Sequence, residues 1–241
     1  MNKEMLVLAK GYVIDLPPHG YVRYIDHLGT DQRIVEAARV SYGSPSKGEE
    51  ADKKLLMYLY RNRHTSPFEQ CNITFNIKMP IFCMRQFVRH RTFSLNEFSG
   101  RYSEMPDKFF FPQQWRKQDT KNKQGSIQEI DSEWQGMVYH TAKEAYDFVY
   151  KLYKVLINVY GVAKEQARMI LPVGIYTEIY VNCDLHNLMH FLRLRLDVHA
   201  QSEIQDIAVA MKLIAKELFP WTFEAFERYG MKVIDRADQK N

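Results

Sequence analysis

The 241-residue chain is poor in the residues that build special-purpose scaffolds. It has three cysteines, Cys71, Cys83 and Cys183, an odd number with no Cys-x-x-Cys pair. That excludes a disulfide framework and predicts reduced, partly buried thiols of a cytoplasmic protein. Eleven glycines and nine prolines exclude a collagen-like or low-complexity chain, and 46% hydrophobic residues are too many for wholesale disorder. No apolar run approaches the roughly 20 residues of a membrane span. The start, MNKEMLVLAKGY, lacks a usable apolar stretch and a small-residue cleavage site, so no signal peptide is expected. There is no G-x-G-x-x-G, no P-loop and no G-x-S-x-G elbow, which argues against a Rossmann site, a Walker phosphate site and an esterase-type serine. His186 and His190 have the i, i+4 spacing of zinc ligands, but residue 187 is Asn where a zincin has its general base, so no metal site is expected. Charge is not extreme: 33 Lys and Arg against 29 Asp and Glu give +4, which suits an anionic small molecule as well as RNA.

What is present predicts an α+β fold: one helix-rich domain over 1–241 with a small central antiparallel sheet early in the chain. Strands are expected at 6–9, 12–16 and 21–25, with Pro17, Pro18 and Gly20 in a turn. A helix capped by Thr30 or Asp31 should reach Tyr42, and a second, about 49–63, should turn Leu55, Leu56, Tyr58 and Leu59 inward. Ile73, Phe75 and Ile77 alternate in a strand over 71–79. Pro80 then opens a helix to about Arg91. Residues 106–127 read as an exposed loop. Helices are expected at about 129–160, 163–170, 184–196, 200–218 and 221–229, with a strand at 175–181.

Chemistry concentrates between Arg85 and Tyr102, where four arginines meet one acid, Glu97. On a continued helix Gln86, Arg89 and His90 would share a face. If 96–102 is extended, Glu97, Ser99 and Arg101 point one way, with Gly100 admitting a ligand to the backbone. That strip suits a phosphate; the alternatives are a solvated basic helix end and an RNA-binding track, the latter with few interleaved aromatics and no RNP-like pattern. A second cluster is the loop His64–Gln70. A third joins His186, His190 and His199 to Arg193, Arg195 and Glu203; the two arginines, two apart on a helix, diverge by about 200°. The cysteines, in strand and apolar-helix settings, are unpromising nucleophiles.

Arg89-His90-Arg91, Ser94, Asn96-Glu97, Ser99 and Arg101-Tyr102 spell R-H-R-x-x-S-x-N-E-x-S-x-R-Y, which resembles the signature of the flavin-dependent thymidylate synthases. His64-x-Ser66-Pro67-Phe68-Glu69, Arg168-x-x-Leu171-Pro172 and Arg195-x-x-x-His199-Ala200-Gln201-x-Glu203-Ile204 resemble further family segments, so the likeness runs from about Ala37 to Phe226. The resemblance implies reductive methylation of dUMP to dTMP without an enzyme nucleophile. FAD is the implied cofactor, and methylenetetrahydrofolate and NADPH are the co-substrates. It also implies a homotetramer with shared active sites, acting on neither nucleic acid nor membranes. By position, Gln86, Arg89, Glu97, Phe98, Ser99, Gly100, Arg101, Arg168 and Arg195 would hold dUMP, with Arg195 the catalytic group against the uracil. His64, Ser66, Arg89, His90, Arg91, Glu97, Asp184, His186, His190 and His199 would contact FAD. Gln70 stands where the family often has His, and Asp184 and His186 stand where Asn and Arg are expected.

Overall fold

The computed structural model describes residues 8–230 except Gln124, and leaves out the side chain of Tyr42. Five strands form one antiparallel sheet: β1 (Val13–Leu16), β2 (Gly20–Leu28), β3 (Asn72–Pro80), β4 (Ser94–Glu97) and β7 (Tyr176–Asp184), in the order β1-β2-β3-β7-β4. Strands β3 and β7 pair over nine residues, Asn72↔Asp184 to Pro80↔Tyr176. Their inward positions, Ile73, Phe75, Ile77, Ile179, Val181 and Cys183, are buried. The alternation seen in the sequence is the side-chain period of a strand with one face on a core. Helices α6 (Leu185–Arg195) and α7 (Ser202–Leu218) cover that face with Leu188, Phe191, Leu192, Ile207, Met211 and Ile214.

Helix α1 (Asp31–Arg39) starts after Gly29, whose φ of +91° and a would-be Cβ 2.5 Å from the Cys71 sulfur leave room for glycine alone. Thr30 makes no side-chain cap. Asp31 instead reaches across the fold to the start of α8 (Pro220–Ala225). It accepts from the Trp221 and Thr222 amides at 2.8 and 3.1 Å and from the Thr222 hydroxyl at 2.6 Å. One buried carboxylate thus satisfies donors that the helix itself leaves unpaired. Helix α2 (Glu49–Arg61) buries Leu56 and Leu59, but Tyr58 is half exposed, against expectation.

Other departures follow from tertiary packing overriding local pattern. The expected strand at 6–9 falls partly outside the described residues; Leu8 and Ala9 are not in a strand. Helix α3 (Ile81–Phe87) stops four residues before Arg91, because the chain turns at Val88–His90 to bury His90 against Phe93 and Phe191. Gln86, Arg89 and His90 therefore do not share a helix face. The extended stretch ends at Glu97; Ser99–Ser103 is a turn. Residues 106–127 are not a plain loop: β5 (Arg116–Gln118) and β6 (Ser126–Glu129) make a hairpin. Its exposed, polar strands carry no apolar alternation to betray it.

Helix α4 (Ser132–Asn158) covers a second, smaller core of Met105, Phe109, Tyr153, Ala167 and Ile175. The short helix α5 (Lys164–Ala167) closes it.

Replacing Asp31 with Ala should strand two amides and a hydroxyl and cost about 2–3 kcal/mol. A urea midpoint that falls at unchanged m-value checks this; an unchanged midpoint refutes it.

Candidate active site

Arg195 is the last residue of α6, half-buried, and its guanidinium is held by neutral acceptors only. Its Nε donates to His90 Nε2 at 3.2 Å, and its terminal nitrogens donate to the Gln86 backbone oxygen at 3.3 Å and side-chain oxygen at 3.5 Å. Burial lowers its pKa from the usual arginine value. Burial, then the Arg195 charge, then His190, push the His90 pKa down to about 4. His90 is therefore neutral near pH 7, and accepting at Nε2 places its proton on Nδ1. Gln86 is itself fixed by Gln201, at the start of α7. Here is a cation oriented by three contacts and, among the described residues, paired with no carboxylate. The two arginines of α6 diverge as their spacing predicts: Arg193 meets His190 on the other side, at 3.2 Å.

A second locus lies at the sheet edge. Pairing of β4 with β7 sets Glu97 opposite Ile179, and Thr177 donates to Glu97 at 2.7 Å. A cavity of about 290 Å³ opens there, lined by Glu97, Phe98, Ser99, Gly100, Arg168 and Thr177 among others. Tyr150 and Tyr153 hold both backbone groups of Met105 at 2.9 Å. A Cβ on Gly100 would sit 2.8 Å from the Met105 sulfur and 3.1 Å from Arg168, so close packing of the turn itself calls for glycine here. Arg101 does not line this cavity; it pairs with Glu165 at 3.0 Å, while Ser99 Oγ accepts from the Arg101 amide. Arg89 and Arg91 are exposed and have no acidic partner among the described residues.

A third locus forms where the Leu185 amide donates to the Cys71 carbonyl, docking the loop after α2 against α6. The resulting cavity, about 350 Å³, is lined by Arg63, His64, Phe68, His186, His190 and Arg193 among others. Rings and cations in one wall fit a planar aromatic group carrying anionic phosphates, and the volume suits part of a dinucleotide. Arg63 has φ +59°, the left-handed conformation usual for glycine just past a helix end. Thr65, not Ser66, faces this cavity. His199 stands apart, exposed, its Nδ1 2.9 Å from Asp197. Asp184 caps α6, accepting from the Asn187 amide at 2.9 Å and its side-chain amide at 2.6 Å. No hydrogen bond or ion pair joins the first two loci among the described residues.

Sequence reasoning missed three contributors, Thr177, Arg116 and Arg63, and it named Gln201 without its contact to Gln86. Thr177 and Gln201 hold Glu97 and Gln86 from elements far away in the chain. Arg116 of the hairpin bonds Ser202 and, at 2.7 Å, Glu203, tying β5 to the first turn of α7. Only Arg63 had a local signal, a non-glycine residue past a helix stop.

The family described as "Thymidylate synthase complementing protein" matches residues 23–221. A flavin-dependent thymidylate synthase of Treponema denticola is 45% identical over 232 residues, 95% of this chain and 84% of the relative. That of Thermus thermophilus is 47% identical over 211 residues, 87% of this chain and 76% of the relative. A crystal structure of a UMP/dUMP methylase from Streptomyces cacaoi bound with 5-Br dUMP superposes with a TM-score of 0.82 at 34% identity, covering 90% of this chain and 99% of that one. With the signature intact on β4 and the turn that follows, the chain belongs to the flavin-dependent thymidylate synthase family.

Proposed function

We propose that the chain methylates C5 of dUMP to give dTMP, and the single observation carrying this is the uncompensated guanidinium of Arg195. C5 of uracil is a weak nucleophile. Negative charge in the ring raises its electron density, and a fixed cation stabilises that charge best where little water competes. Neutral His90 and Gln86 aim Arg195 without spending its charge. C5 would bond to the methylene carbon of methylenetetrahydrofolate as that carbon's two bonds to the folate nitrogens break and each nitrogen takes up a proton; the C5 proton would leave, and a hydride would complete the methyl group. FAD held by the residues named below would supply that hydride in its reduced form, with NADPH as the reductant that restores it.

The chain's own groups divide the work. Ser99, Gly100, Arg101 and Arg168 receive the nucleotide phosphate; Arg101 exchanges its exposed Glu165 pair for it, a small cost since such pairs contribute about 0–1 kcal/mol. Glu97, steadied by Thr177, and Phe98 line the nucleoside side, with Gln86 and Arg89. Arg89, His90, Arg91, Glu97, His64, Ser66, Asp184, His186, His190 and His199 serve FAD, His64 nearest the flavin ring and folate. The rings and cations around the third cavity support that reading. No thiol competes for the role of nucleophile: burial raises the pKa of Cys71 to about 11 and raises those of Cys83 and Cys183 further. The separation of the Arg195 and Ser99–Arg168 loci supports active sites assembled across subunits of a homotetramer. One domain over 1–241, working in the cytoplasm, completes the proposal; three free cysteines are in keeping with it.

Tritium release from [5-³H]dUMP should require FAD, NADPH and methylenetetrahydrofolate together. Since a structural relative is named a UMP/dUMP methylase, [5-³H]UMP is the control for sugar selectivity. Release that persists without folate would sink the reaction as written. Arg195→Ala should lower kcat by about 10²–10³-fold while flavin absorbance of the purified protein stays; wild-type turnover in this variant removes the assigned role. Arg63→Gly should relieve the left-handed strain, raise stability by about 0.5–1 kcal/mol, and weaken FAD binding. Titration of the apoprotein with FAD, alongside a thermal melt, reads both effects. Unchanged FAD affinity would place Arg63 outside the cofactor site.

A further inference from the structure

One cavity is lined by none of the groups assigned to the reaction. About 700 Å³ in volume, it lies between the β5–β6 hairpin, β1 and one face of α7. Its α7 wall is a single stripe. Glu203, Asp206, Val209 and Leu213 follow at spacings of 3, 3 and 4 residues, which keeps them on one side of the helix. The first turns of that stripe are acidic and the next two are apolar. Val209 and Leu213 are 46% and 52% exposed, and Ile127 in the hairpin wall is 44% exposed. Phe110 and Leu16 add further apolar surface.

The acidic end is short of donors. Three acids, Glu129, Glu203 and Asp206, line the cavity against one base, Arg116. Arg116 donates to one oxygen of Glu203 at 2.7 Å. The other oxygen is buried, in a side chain 10% exposed, and accepts no hydrogen bond among the described residues. Asp206, exposed and one turn further on, has no ion partner among the described residues. Lys78 lines an adjoining void with both carboxylates and bonds neither. A charged oxygen taken out of water without a donor is costly, so this end favours a group that brings N–H donors and positive charge. Carboxylates at i and i+3 start about 5–6 Å apart at Cβ, a span that the three donors of one ammonium can bridge.

The remaining walls say which cation. No group of three His, Cys, Asp or Glu side chains that could hold a metal ion occurs among the described residues, and a hard metal ion requires several more oxygens than this cavity offers. A hydrated inorganic ion would also leave the apolar half unused. An organic cation matches both halves, its charged head at the acids and its body on the apolar surface.

We propose that this cavity binds a small organic monocation, with an ammonium set between Glu203 and Asp206 and an apolar body against Val209 and Leu213. The site is independent of the reaction proposed above. Titration calorimetry of the full flavin-loaded chain tests it, with tryptamine as the probe, tryptophol as its neutral counterpart and indole-3-acetate as the anion. Tryptamine should bind once per chain with a Kd of about 1 mM or below. It should bind about tenfold more tightly than tryptophol, and indole-3-acetate should bind more weakly than either. Asp206→Asn should raise the tryptamine Kd about fivefold or more. Val209→Arg, at an exposed position, should fill the apolar half, set a fixed cation beside the acids and abolish binding. Far-UV circular dichroism and bound flavin should be unchanged in both variants. Tryptamine that fails to saturate the chain by about 10 mM, or that binds no better than tryptophol, overturns the proposal. So does a tryptamine Kd that stays the same in either variant, since the probe then sits elsewhere.

Discussion

A guanidinium held in place by neutral acceptors is the constraint on which this site depends. Ordinarily a half-buried arginine recovers its lost hydration by pairing with a carboxylate, as Arg39 does with Asp52 at 2.5 Å in this chain. Arg195 has no acid. Its orienting partners are an imidazole that burial keeps unprotonated and the oxygens of Gln86. The chain therefore carries a directed, unneutralised positive charge whose desolvation is recovered only when an anionic group arrives. Much of the surrounding fold maintains that state. Phe93 and Phe191 keep His90 dry, α7 fixes Gln86 through Gln201, and the hairpin grips the next turn of α7 through Arg116.

Different parts of this arrangement were legible in the sequence to different degrees, for physical reasons. The β3 strand was plain because one face is packed and the other is not, which writes period two into Ile73, Phe75 and Ile77. Helices α6 and α7 were plain for the same reason at period 3.6. The divergence of Arg193 and Arg195 followed from helix geometry alone, and they do face different loci. The end of α3 was illegible: His90 leaves the helical path for contacts with Phe191, a hundred residues on, which no local propensity encodes. The β5–β6 hairpin was hidden because its strands bury little and are tied to α7 by the partly buried Arg116–Glu203 pair, a contact far away in the chain.

The site residues show the same division. The R-H-R-x-x-S-x-N-E-x-S-x-R-Y run marked a basic strip suited to phosphate by composition, yet only the pairing of β4 with β7 explains why Glu97 turns toward Thr177. Alternation predicted Glu97, Ser99 and Arg101 on one strip; the turn at Ser99 breaks that strip and sends Arg101 to Glu165 instead. Asp184 stands where the resemblance expects Asn, and it caps α6, which carries His186, His190 and Arg195; Asn fills that capping role equally well.

The three thiols sharpen the chemical argument. Each is buried, and burial alone disfavours the thiolate in all three. A covalent route to activating a pyrimidine needs a thiolate beside a base, and this chain buries Cys183 in β7, Cys71 just before β3 and Cys83 on the inner face of α3. Its exposed or half-buried reactive capacity is cationic: Arg89, Arg91, Arg168 and Arg195. In the reaction proposed above, an enzyme equipped this way would lower its barrier by stabilising charge in the substrate ring rather than by attacking it, and that choice would demand rigidity at one guanidinium more than nucleophilicity anywhere. The ties of Arg195 to His90 and Gln86, each more than a hundred residues away in the chain, would supply that rigidity.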